Sequence, residues 1–520
     1  MVLKKSKELS AKKSIALNLI VSFFAYLVTF GISFFLSPYI VRAVGVDAYG
    51  FVSLANNFIS YASLITIALN ALAGRFITIK IKEKDYDSAN MYYTSVFIGN
   101  VFLSGILLIL AVIVWIFLEN LINIPENIFW DVKILFAVLF VNCIINTICS
   151  VFGIATFATN KLYLSSIRNI ESSLIRAAVL LVLFVFFSPK IAYLGITSLL
   201  TGIYCIIYNI YYTKKLTPYL KLSISSFNIK AVKELISSGI WNLVTKLSQI
   251  LIDGLDLLIA NLFIDSVSMG VLSLAKTVPS MISSIVGTMV GSFSPNFTIL
   301  YAEKKYEELK QSVKQSMKIM GIICNVPIIV LLVCGIQFFT LWQPTQDAKQ
   351  LQLLSILTCA GLIINGGINC IYNIFTVVNK LKFNSLVLLV SSIISITITF
   401  ILVKTTDLGI YAIAGVSTCI MIIKNIVLIV PYAAKCLQLK WYAFYSEVIR
   451  SALFVIISSI VCKLLINCIF VKLFDKTTWI TFFASALIVV FVSLCIGLFV
   501  ILKKQERIML FDMIKGRINK

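Results

Sequence analysis

LISSGIWNLVTKLSQILIDGLDLLIANLFI, residues 235–264, is long enough to cross a bilayer as a helix, yet it carries Asn242, Lys246, Gln249, Asp253 and Asp256. Those five recur at steps of four, three, four and three, so a straight α-helix lines them along one face and leaves Leu, Ile, Val and Ala on the others. A lysine or aspartate at mid-membrane costs roughly 2.5–3.5 kcal/mol against lipid, so three on a lipid-facing stripe would cost about 8–10 kcal/mol. The stripe therefore faces protein or water, as an ion pair between helices or as the wall of a water-filled cavity. Lys246 and Asp253 are separated by roughly 10.5 Å of helix rise, which disfavours pairing within the helix.

Around this stretch the chain is uniformly apolar. Of 520 residues, 60% are hydrophobic and 13% charged, which excludes a soluble globular chain and points to an all-α integral membrane protein. Fourteen apolar runs reach spanning length, at about 15–40, 48–73, 93–118, 128–156, 165–187, 191–212, 236–262, 266–292, 314–341, 347–376, 383–404, 408–434, 447–471 and 478–502. The first is too long for a signal-peptide core and leads to no A-x-A site, so it reads as a retained span.

The formal charge of +22 does not imply nucleic acid, because no polar domain exists to carry a basic patch. It follows membrane topology instead. With the N-terminus inside, cytoplasmic segments collect Arg75, Lys80, Lys82 and Lys84, then Lys214, Lys215 and Lys221, then Lys304, Lys305 and Lys310. The tail after residue 502 is also basic, whereas outer segments hold isolated charges and the acidic stretch Glu119–Asp131. Both termini are expected in the cytoplasm, with Ile508–Ile514 a candidate surface helix.

The twelve cysteines are scattered in apolar runs without a CxxC and read as small buried hydrophobes. Histidine is absent, which removes the usual metal ligand, proton shuttle and general base. No catalytic residue, metal or cofactor is expected, apart from coupling to H+ or Na+.

An internal repeat organises the spans. Tyr49-Gly50-Phe51-Val52-Ser53-Leu54-Ala55-Asn56 matches Met269-Gly270-Val271-Leu272-Ser273-Leu274-Ala275-Lys276, and 270 less 50 gives an offset of 220. At that offset Glu83-Lys84-Asp85-Tyr86-Asp87 lies over Glu303-Lys304-Lys305-Tyr306-Glu307. Six spans separate the paired elements, so the copies have the same orientation, the plan of an alternating-access transporter. The expected division is an N-lobe at 1–213 (helices 1–6), a cytoplasmic linker at 214–235, a C-lobe at 236–440 (helices 7–12), helices 13–14 at 441–502 as an appendage, and a basic tail at 503–520.

At these residues the chain resembles the multidrug/oligosaccharidyl-lipid/polysaccharide (MOP) exporter superfamily, in particular its polysaccharide-transporter branch of Wzx-type flippases. The resemblance rests on Tyr39-Ile40-Val41-Arg42-Ala43-Val44-Gly45-Val46-Asp47-Ala48-Tyr49-Gly50, on Asp256-Leu257-Leu258-Ile259, and on Ser273-Leu274-Ala275 with Tyr301-Ala302-Glu303. It departs at Leu257, where members often carry a basic residue. It implies flipping of an undecaprenyl-diphosphate-linked glycan across a bacterial cytoplasmic membrane, the sugar in a cavity between lobes, with polysaccharide polymerases or glycosyltransferases as further partners.

Candidate binding residues are Lys246, Lys276, Arg176 and Lys424, a cationic set suited to a diphosphate, Asn242 and Gln249 on the cavity wall, and Asn18, Ser22, Tyr26, Thr29 and Ser33 of helix 1, whose amide and hydroxyls suit sugar hydroxyls or an ordinary helix interface. Asp253 and Asp256 are candidates for ion coupling or cavity hydration, and Arg42 and Arg75 for headgroup guidance. Arg176 has a plain alternative, pairing with Glu171, and Lys424 another, reaching cytoplasmic headgroups. On helix 8, Ser273, Lys276, Ser280, Ser283, Gly287 and Gly291 form a small polar stripe that suits a cavity or close helix packing. Competing functions are a lipid II flippase, a cation-coupled small-molecule exporter and, from another class, a membrane glycosyltransferase or polymerase. The last lacks a sizeable polar loop, a D-x-D and any histidine.

Overall fold

A bilayer core offers no water to backbone N–H and C=O groups, so an apolar run closes its hydrogen bonds within itself and coils whatever its intrinsic preference. Leu381–Thr405 illustrates this. It is rich in Val, Ile, Ser and Thr, weak helix formers in water, and is nevertheless one continuous helix of 25 residues.

The computed structural model describes residues 2–502 and 506–507, apart from 160, 292, 379 and 474–476. Side chains are described for these except 2–20, 23, 288, 295, 299, 302 and 468–473, so the Asn18 side chain and the candidate surface helix at Ile508–Ile514 lie outside what is described. The chain is all-α, with no strand among the described residues. Its first six long helices are α1 (Val2–Val44), α2 (Val46–Lys82, with a turn after Asn70), α3 (Tyr86–Ile116), α4 (Glu126–Ala158), α5 (Leu162–Phe186) and α6 (Ala192–Leu216). Then follow α7 (Ile229–Gln249, continued by Ile250–Gly254 and Asp256–Phe263), α8 (Ser266–Gly291), α9 (Tyr306–Trp342), α10 (Ala348–Val377) and α11 (Leu381–Thr405). Last come α12 (Ile410–Cys436), α13 (Tyr445–Leu473) and α14 (Trp479–Val500).

Among the described residues, 13 helices are long and apolar enough to cross a membrane. The fourteenth expected span is α7, present as a helix but carrying the polar residues quoted above.

The internal repeat is visible in the backbone. Lys84 and Lys304 both take a left-handed conformation, at φ 61° and 58°. The following amide N–H donates to a carbonyl five residues back in both copies, Asp85 to Lys80 and Lys305 to Leu300, each at 3.0 Å. Both α3 and α9 then begin at a tyrosine. Further along, α5 and α11 each contain 25 residues and end in an extended residue, Phe187 and Thr406.

By compactness the chain divides into two units, Met1–Gly270 and Val271–Lys520. In the first, Leu69 and Ile77 of α2, Tyr93 and Val96 of α3 and Leu235 of α7 share one core. In the second, Val326, Ile329 and Cys334 of α9 pack against Phe454 and Cys462 of α13 and Phe482 and Val489 of α14. Helices 13 and 14 are thus part of that unit's core, held by van der Waals packing. A polar tie joins them too: Asn325 of α9 donates to Ser451 of α13 at 2.8 Å.

Candidate functional site

In the first unit, α7 departs from a straight helix. Ile250–Gly254 is a π-turn, and the carbonyl of Gly254 accepts hydrogen bonds from two α2 side chains, Asn57 at 2.9 Å and Tyr61. A π-turn inserts one residue, which rotates everything beyond it by about 100°. The five polar residues therefore do not share one face. Asn242, Gln249 and Asp253 are exposed, Lys246 is half-buried, and Asp256, just past the turn, is buried at 6% exposure.

Both ends of α7 are tied down within the same unit. At one, Asn261 and Asn123 exchange three hydrogen bonds: the Asn123 backbone N–H and side-chain amide donate to Asn261 at 2.8 and 2.9 Å, and the Asn261 amide donates back at 3.0 Å. At the other, Tyr92 donates to Glu234 at 2.7 Å, and Gly239 crosses directly over the Ala68 carbonyl.

Four helices of the first unit line a half-open cavity of about 180 Å³. Its walls include Thr29, Ser33 and Ser37 of α1, Tyr49, Ser53 and Asn56 of α2, Ser173 and Arg176 of α5, and Leu194 of α6. Thr29 and Ser173 hydrogen-bond across it at 3.0 Å. The structure thus brings three expected site residues, Thr29, Ser33 and Arg176, into one chamber; Tyr26, one turn away on α1, is half-buried and not among its lining residues. Pairing of Arg176 with Glu171 does not occur. Glu171 accepts from the Tyr204 hydroxyl instead, and the Arg176 Nε is enclosed without a hydrogen-bond partner. Arg42 and Arg75 are exposed.

In the second unit, Lys276 is half-buried while Ser280, Ser283, Gly287 and Gly291 are exposed. A methyl group added at Gly287 or Gly291 would meet nothing within 4 Å, so close packing does not explain these glycines. Lys424 corrects the expectation of a lysine reaching headgroups. It is 3% exposed, its ammonium donates to the Tyr372 hydroxyl at 3.2 Å, and Tyr372 donates to Asn425, whose amide donates to Asn365. Asn425 opens a second π-turn, Asn425–Ile429.

Sequence reading missed Ser37, Tyr49, Asn56 and Ser173 as cavity residues, and Asn57, Tyr61 and Asn123 as ligands of α7. Serine spacing on α1 was a signal: Ser37 follows Ser33 by four residues.

Spanning helices, a six-helix repeat and polar groups exposed or enclosed inside those helices define a polytopic α-helical membrane protein. A family model described as polysaccharide biosynthesis protein matches residues 15–301. The chain belongs to that family. It is 26% identical over 498 residues to the membrane protein EpsK of Bacillus subtilis (strain 168), covering 95% of this chain and 97% of that one. Among solved structures it is similar to the lipid II flippase MurJ in an inward closed conformation, with a TM-score of 0.68, 15% identity, and coverage of 93% and 98% of the two chains. A multidrug resistance MATE transporter in an inward-facing conformation gives a TM-score of 0.65 at 13% identity, covering 81% and 98%. These likenesses establish the fold.

Proposed function

We propose that this chain flips an undecaprenyl-diphosphate-linked oligosaccharide, the repeat unit of a surface polysaccharide, across a bacterial cytoplasmic membrane by alternating access. Family membership supports transport in polysaccharide biosynthesis. The observation that carries the reading further is the exposure of Asn242, Gln249 and Asp253 within α7, in the stretch 235–264 that is long enough to cross a bilayer. Groups of that kind are too costly to leave against lipid and belong on a hydrated path. In this reading the cationic groups Lys246, Lys276, Arg176 and Lys424 favour an anionic cargo, and Asp253 and Asp256 keep the path wet or respond to protons or sodium. Six-helix lobes on either side of residues 214–235, termini in the cytoplasm, and docking of polymerases or glycosyltransferases complete the proposal.

The test replaces Lys246 and Lys276 together by Ala and measures lipid-linked oligosaccharide on the cytoplasmic face. Export is expected to fall by about tenfold or more, the loss of one or two charge-assisted hydrogen bonds, with intermediate accumulating inside. Unchanged export at normal protein level would refute the assignment of these lysines. Accumulation of lipid II in place of the oligosaccharide would shift the cargo to the cell-wall precursor.

A further inference from the structure

We propose that the half-open chamber lined by α1, α2, α5 and α6 in the first unit binds one compact anion on the Arg176 guanidinium. Three observations converge. None of the residues that line the chamber is acidic, and Arg176 makes no ion pair among the described residues. The nearest expected carboxylate, Glu171, is engaged by Tyr204. Two enclosed polar atoms on this same chamber, Arg176 Nε and Ser37 Oγ, lack any hydrogen-bond partner, in a setting where buried polar groups are nearly always satisfied.

Arginine stays protonated and presents five N–H donors in a planar fork, so its charge must be met by something. Water would fill the orphaned hydrogen bonds but leave the charge without a counter-charge. An anion satisfies both. An oxyanion accepts from the guanidinium edge while the Ser37 and Tyr49 hydroxyls donate from α1 and α2. The volume, about 180 Å³, suits chloride, phosphate or a single sugar carboxylate. It does not suit an oligosaccharide, whose path is a separate question. The site stands on the chamber alone, so a chain that flipped nothing would still bind the anion.

The source of the anion is free solution or an anionic group of the cargo, and the experiment separates them. Full-length protein is purified in detergent and exchanged into isethionate at fixed ionic strength. Its melting temperature is followed against chloride, phosphate and glucuronate, and labelled phosphate binding is measured by equilibrium dialysis, with and without a short prenyl diphosphate. The expected result is saturable binding of one equivalent, with a rise in melting temperature that saturates over the same range. Arg176→Gln weakens binding by about tenfold or more, and Arg176→Lys, which keeps the charge but loses the fork, lies between. Competition by prenyl diphosphate or glucuronate assigns the site to the cargo, and its absence assigns it to a free anion. Equal anion dependence in wild type and Arg176→Gln, or no saturable binding in wild type, overturns the proposal. Should Arg176→Gln fail to fold, Ser37→Ala and Tyr49→Phe decide: a severalfold loss of affinity in either supports the site, and unchanged affinity in both overturns it.

Discussion

At Gly239 an added methyl group would come within 2.0 Å of the Ala68 carbonyl oxygen, whereas at Gly105 it would meet nothing within 4 Å. Both glycines sit inside helices, where Gly→Ala is ordinarily favourable by about 0.8–1 kcal/mol. The two sites should therefore answer the same substitution with opposite signs. Gly105→Ala is expected to hold or raise the melting temperature. Gly239→Ala is expected to lower it, because a carbonyl cannot yield as a side chain can, at a cost of about 1–3 kcal/mol. Parallel thermal melts in one detergent check this, and equal shifts would mean that α7 does not cross α2 so closely. The repeated motif has a similar origin: a methyl on Gly50 would lie 2.8 Å from the Cα of Gly270, both within the first unit. Sequence made these glycines visible as a matched pair, but the atoms that require them lie some 220 residues away along the chain.

The ends of elements separate what a sequence reveals from what it conceals. Apolar counting placed a helix at each expected run, and thirteen of these are long and apolar enough to cross a membrane among the described residues, because a run of that composition has only one way to satisfy its backbone in lipid. It cut short the polar ends. α9 begins at Tyr306 rather than near 314, since its first turns are amphipathic and bury Leu309, Val313 and Met317. The last part of α2, Ala73–Lys82, likewise buries only Ala73 and Ile77. Nothing in the sequence marked the π-turn of α7. Its stabilising partners, Asn57 and Tyr61, come from another helix, and so the polar stripe was drawn one residue too straight. The Asn123–Asn261 clasp was hidden for the same reason. Asn261 is fully buried, and Asn261→Ala would leave the backbone N–H and C=O of Asn123 unpaired, at about 1–3 kcal/mol, while the Asn123 side-chain amide keeps the backbone carbonyl of residue 261. Hydrogen exchange should then quicken in Asp256–Phe263 and in the segment around Asn123, while the Ile229–Gln249 part of α7 stays protected. Unchanged exchange in both segments would remove the clasp as what holds that end.

For the whole molecule, the direction of flipping depends on which way the chain lies in the membrane, and charge argues for one orientation. Arg75, Lys80, Lys82 and Lys84 share a side with Lys214, Lys215 and Lys221 if the spans alternate, and basic loops stay cytoplasmic. The opposite side receives the acidic segment Glu119–Asp131. There the Lys133 ammonium lies 4.9 Å from the Phe129 ring, 5.5 Å from Trp115 and 5.9 Å from Trp130, and 3.8 Å from Glu119. A lysine so covered by aromatic rings is suited to the headgroup level, where amphipathic rings collect. A cysteine placed at exposed Glu126, on a Cys419→Ser background, should react with an impermeant maleimide added to intact cells. One placed at exposed Ser225 should react only after the membrane is opened. The reverse pattern would put the basic loops outside, and the cargo would then have to be loaded from the outer face, which no glycan assembled in the cytoplasm could reach. Orientation and proposed function therefore stand or fall together: labelling at these two positions tests the direction of transport without requiring the cargo to be known.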